Sequence, residues 1–119
     1  MLISIDFRDK RPLYEQVSGR LEELILRGII EPNEALPSVR ALAVELSINP
    51  NTVQKAYGVL EQKGLIYSVS GRGSFAADAG DILPKKKEEF FAELDELVKK
   101  GENLGISRRE ISEYVQRPD

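Results

Sequence analysis

The sequence predicts a mostly helical chain with a small β-hairpin, arranged as a winged helix-turn-helix followed by a two-helix C-terminal dimerisation tail. Three observations predict it. Apolar residues recur at helical spacing along five segments. Two of those segments are short and joined only by Ser47-Ile48-Asn49. A glycine-arginine turn, Ser70-Gly71-Arg72-Gly73, separates two short runs suited to strands.

Each element follows from its residues. Leu2, Ile3, Ile5 and Phe7 alternate with polar residues, as in a short strand or extended arm. After Arg11-Pro12, Tyr14, Val17, Leu21, Leu24 and Ile25 mark an amphipathic first helix that stops near Gly28. Pro32 and Asn33 then mark a turn. Ser38 caps a second helix, with Val39, Leu42, Ala43 and Leu46 as its buried stripe. Asn49 caps a third helix and Pro50 takes its first position, where a missing N–H costs nothing. Val53, Ala56, Tyr57 and Leu60 face the core, and Gly64 ends the helix. The hairpin covers Leu65 to Ala76. Asp78 to Asp81 reads as a linker, dividing the chain into domains 1–77 and 78–119. A fourth helix is expected from Pro84 to about Lys100, broken by Gly101 to Gly105. Ser107 and Glu110 form a capping box for a last helix over 108–116, with Ile106 and Ile111 as its hydrophobic staple.

Composition narrows the function. The 119 residues contain no Cys and no His, which excludes thiol catalysis, a His base and Cys or His metal sites. The sequence calls for no cofactor and no metal, and it does not read as an enzyme. No run is long and apolar enough to span a membrane. The N-terminus is too short and too acidic for a signal peptide, so a cytoplasmic location is expected. Net charge is −3, yet residues 36–77 hold four Lys/Arg against two Glu. The segment with the helix pair is therefore the only positive third. Local phosphate neutralisation, not whole-chain charge, governs DNA affinity.

The buried stripe of the third helix leaves Asn51, Thr52, Gln54, Lys55 and Gly58 facing outward. Asn and Gln bond adenine bidentately, and Lys bonds guanine or phosphate. The N–H groups at the start of this helix are expected to attract phosphate as well. Arg40 stands near the start of the second helix, where it reaches toward the neighbouring DNA backbone, and its cap Ser38 is counted with it among the expected DNA-binding residues. Gly71 and Gly73 allow close backbone approach, and Arg72 puts a charge at the wing tip. Double-stranded DNA is the expected partner. The alternative is a winged-helix protein–protein interaction module without DNA binding, supported only by the acidic net charge.

Four blocks carry a resemblance: Leu36-Pro37-Ser38-Val39-Arg40, Asn49 to Tyr57, Leu60 to Ile66, and Gly71 to Phe75. In order and spacing they resemble the DNA-binding domain of GntR-family transcription regulators, over about residues 10–77. The resemblance implies DNA contacts by Arg40, by Asn49, Asn51, Thr52 and Gln54, and by Ser70, Gly71 and Arg72. Pro50 and Gln54 stand where some members carry Arg. The remaining length is similar to the YtrA subfamily, whose short helical tail dimerises and whose members often repress ABC-transporter genes. That implies a homodimeric repressor of a palindromic operator. Phe90, Phe91, Leu94, Leu97 and Val98 would form the dimer seam with Ile111, Tyr114 and Val115. So short a tail leaves room for a small-molecule effector only in a pocket between subunits.

Overall fold

A computed structural model describes residues 3–119. The order is α1 Leu13–Leu26, α2 Val39–Leu46, α3 Pro50–Gln62, β1 Ile66–Val69, β2 Gly73–Ala76, α4 Ala79–Asn103 and α5 Arg108–Gln116. Two compact units meet in sequence at Leu83 and Pro84.

In the first unit, Val17, Leu21, Leu24 and Ile25 of α1, Leu42 and Ala43 of α2, and Val53, Ala56, Tyr57 and Leu60 of α3 form one buried core. Leu65, Ile66 and Ala76 close it from the hairpin. Each helix ends by the same device, a left-handed residue that lets two amides turn back on the last carbonyls. After α1, Gly28 has φ 74° and Ile29 N–H donates to Leu24 O at 2.9 Å. After α3, Gly64 has φ 75° and Leu65 N–H donates to Leu60 O at 2.9 Å. After α2 the left-handed residue is Ser47, with φ 56°. This bend sets the angle of the helix pair.

Of the two forms expected for the N-terminal run, the structure shows the arm. Residues 3–7 form no strand, and Leu2 lies outside the described residues. Ile3 and Ile5 do pack against the core. The arm is held by Gln16, which is only 8% exposed. Its Oε1 accepts from Asp6 N–H at 3.0 Å and its Nε2 donates to Asp6 O at 3.1 Å. One glutamine thus stands in for the strand ladder that the alternating pattern suggested.

The expected linker is helical. Asp78 Oδ1 accepts from Gly80 N–H at 2.8 Å, which caps α4 five residues before Pro84. Ile82 packs on the core, rewarding that extra turn. Pro84 lies inside α4 and has no N–H for the Gly80 carbonyl.

The second unit also differs at Gly101, which is helical. The stop is Gly105, φ 86°, with Ile106 N–H donating to Gly101 O at 2.9 Å. A Cβ on Gly101 would lie 3.4 Å from Ile111 Cδ1, so this position of α4 faces the start of α5. Ser107 and Glu110 form the capping box as expected.

Tyr57 ties α3 to the segment before α2. Its hydroxyl donates to Pro37 O at 2.7 Å, and burial pushes its pKa up to about 12 from 10.0. Below pH 10 the folded and unfolded chains both keep this proton, and stability is at its full value. Between pH 10 and 12 only the folded chain keeps it, so stability falls as pH rises. Tyr57→Phe is expected to lose about 1 kcal/mol at neutral pH with the hydrogen bond. It should also flatten the alkaline fall, as read by denaturant unfolding at stepped pH. An unchanged slope would assign that fall to other groups.

Candidate nucleic-acid interface

The stripe Val53, Ala56, Tyr57 and Leu60 pins one side of α3 to the core. Asn51, Gln54, Lys55 and Gly58 recur at i, i+3, i+4 and i+7 and share the opposite, exposed side. Thr52 flanks them, half-buried. Lys55 leans back toward α1, its Nζ lying 4.0 Å from the Tyr14 ring centre. The amide pair Asn51 and Gln54 is therefore the centre of the outward face.

The caps take up side chains that the sequence assigned to this surface. Ser38 Oγ accepts from Ala41 N–H at 3.1 Å, and Asn49 Oδ1 accepts from Asn51 N–H at 2.8 Å. Thr52 and Val53 N–H both donate to Asn49 O. With Pro50 lacking an N–H, the start of α3 offers no open amide, contrary to expectation. The start of α2 differs. The amides of Val39 and Arg40 find no acceptor among the described residues. Arg40 itself is exposed and forms no ion pair among them. The anion-attracting helix start is thus that of α2.

The hairpin pairs antiparallel, with Tyr67 opposite Phe75 and Val69 opposite Gly73. Ser70, Gly71 and Arg72 form its tip, with Arg72 N–H donating to Val69 O at 2.9 Å. Gly71 and Gly73 have φ 75° and 104°, conformations that favour glycine. Ser70, Gly71, Arg72 and Gly73 are all exposed, and Arg72 forms no ion pair among the described residues. Of the other cations in this stretch, Lys63 lies 3.6 Å from Glu22 of α1 and is drawn away.

A third rung escaped the sequence reading. Asn33 N–H donates to Ala76 O, Ala76 N–H to Glu34 O, and Leu36 N–H to Ser74 O, all at 2.8–2.9 Å. Residues 33–36 thus pair with the far edge of β2, with Ala35 opposite Phe75. Pro32 and Pro37 hide this segment, because both read as loop signals.

In the second unit no residue of α4 or α5 is buried. Phe90, Phe91, Leu94, Leu97, Tyr114 and Val115 are exposed, and Val98 and Ile111 are half-buried. A groove of about 340 Å³ runs between the two helices, lined by Leu94, Leu97, Val98, Gly101, Leu104, Ile106 and Ile111. Leu104 and Ile106 are exposed members of this face that the sequence reading left out of the seam. No helix among the described residues is long and apolar enough to cross a membrane.

A tight helix pair with a polar outward face and a glycine-arginine wing defines a winged helix-turn-helix, the class of DNA-binding transcription regulators. Residues 13–76 match the model for bacterial regulatory proteins of the gntR family, and the chain belongs to that family. It is 38% identical to the HTH-type transcriptional repressor YtrA of Bacillus subtilis, over 97% of this chain and 90% of that protein. It is also similar to a GntR family transcriptional regulator from Listeria monocytogenes, with TM-score 0.76 and 30% identity over 97% of this chain and all of the other. The AraR DNA-binding domain, solved in complex with an operator, superposes with TM-score 0.55 and 31% identity. That match covers 65% of this chain and 94% of the other. These likenesses support a DNA-binding regulator and not the protein–protein module.

Proposed function

We propose that this regulator is a cytoplasmic homodimeric repressor that binds a palindromic operator through residues 1–77 and dimerises through residues 78–119. The outward face of α3 enters the major groove, where Asn51, Thr52, Gln54 and Lys55 meet base edges and phosphates. Arg40 and the open start of α2 hold the neighbouring phosphates. Ser70, Gly71, Arg72 and Gly73 lie against the adjacent backbone or minor groove. Ser38 and Asn49 act through capping, fixing where each helix begins. The exposed apolar face of α4 and α5 meets a second copy, and the operator symmetry follows from that pairing. The observation that carries this reading is the pairing of Arg40, exposed and in no ion pair among the described residues, with a recognition face built from exposed amides. The near full-length likeness to a repressor, YtrA, supports the sign of regulation.

The operator is recovered by selecting bound sequences from random duplex. Arg40→Ala is then expected to weaken operator binding about tenfold, with an unchanged melting temperature. The slope of log affinity against log salt should also fall by about one for each subunit. Fluorescence anisotropy at several salt concentrations reads both. Wild-type affinity and slope in the variant would remove Arg40 from the interface.

A further inference from the structure

We infer that Asn33 and Tyr67 form a brace that sets the angle of the wing, and so are positioning residues for DNA binding. The inference rests on the proposed role of the wing tip. Tyr67 hydroxyl donates to Asn33 Oδ1 at 2.7 Å across 34 residues of sequence. To reach it, the Tyr67 side chain crosses β2, stacking on Phe75 with ring centres 5.7 Å apart. The rungs Tyr67, Phe75 and Ala35 lie side by side, so the hydroxyl links the outer strand to the segment on the far edge of β2.

That segment is where the rest of the interface is anchored. Leu36 N–H donates to Ser74 O in β2, Pro37 O accepts from Tyr57 of α3, and Ser38 caps α2 just before Arg40. A strut from β1 to Asn33 therefore fixes the wing tip, Ser70 to Arg72, to the same short stretch that positions Arg40 and α3.

The residue choice at 33 fits this role. Its φ is 64°, a conformation in which glycine is unstrained. Asparagine tolerates it and adds an acceptor that glycine lacks. Both partners are exposed, so the bond contributes little to folding in competition with water. Its consequence is the orientation of β1 and the tip: the backbone bonds of residues 33–36 hold β2, and this bond ties β1 to the same segment.

The test uses the full chain and the selected operator. Asn33→Gly keeps the turn and removes the acceptor; Tyr67→Phe keeps the ring stack and removes the donor. Each is expected to weaken operator binding about threefold to tenfold while the melting temperature stays near wild type. The double variant should bind no more weakly than either single one. Arg72→Ala should lose less affinity in the Asn33→Gly background than in wild type, a coupling that a merely structural role would not produce. If Arg72→Ala weakens binding but Asn33→Gly does not, or if their losses simply add, the brace is refuted and the wing contact stands. If Arg72→Ala binds as wild type, the wing contact falls and the brace falls with it.

Discussion

Leu97→Asp is expected to leave each chain folded and to lower operator affinity by about a hundredfold or more. The side chain is 63% exposed on α4, so a carboxylate there meets water in the single chain. The proposed dimer changes its surroundings. No residue of α4 or α5 is buried, yet Phe90, Phe91, Leu94, Leu97, Tyr114 and Val115 crowd their surfaces. Covering one such side chain contributes roughly 1.5–3 kcal/mol. Six per subunit exceed what scattered surface residues explain. A carboxylate in that seam would lose its water and give up the apolar contacts that leucine makes. Dimerisation matters to binding because the second half-site is then reached within the same complex. Light scattering should report monomers, and binding to the palindrome should approach that to a single half-site. A dimer that persists in the variant would place the seam on another surface. A monomer that binds as tightly as wild type would remove the need for two recognition helices.

The sequence discloses most where the cause is local. Spacing and caps suffice for α1, α2 and α3, because an apolar stripe and the residues at its ends decide a helix without reference to the rest of the chain. The outward face of α3 is legible by subtraction: with Val53, Ala56, Tyr57 and Leu60 inside, Asn51 and Gln54 have only one place to go. What stays hidden depends on distant partners. Gln16 looks like any surface glutamine until the backbone of Asp6 folds over it. Pro84 reads as a helix start because proline favours that position. Asp78 caps an earlier start two residues away, a local signal, but the packing of Ile82 that favours that start is not visible as a local pattern. Residues 33–36 lie between two prolines and pair only because β2 presents an edge to them. The amides left open at α2 and not at α3, among the described residues, turn on Pro50, which has no N–H, and on Asn49 Oδ1, which takes the second amide of its helix where Ser38 Oγ takes the third.

Asn51→Ala and Gln54→Ala are expected to reduce the preference for operator over random duplex by about fivefold to 150-fold each. Both residues are exposed on the same side of α3, and alanine is a good helix former, so the scaffold should persist. Asn51 donates its backbone N–H to the Asn49 cap, and that bond survives the substitution. The changes therefore remove side-chain amides and little else. A carboxamide matches the paired donor and acceptor on adenine, a pattern that non-cognate bases do not present. Binding to random duplex depends on phosphate contacts and should change little, leaving the salt slope near wild type. Arg40→Ala should do the reverse, lowering affinity for both duplexes together. Competition titrations of operator against random duplex separate the two behaviours. If discrimination survives in the Asn51→Ala, Gln54→Ala double variant, sequence is read elsewhere, by the wing or through the shape of the duplex.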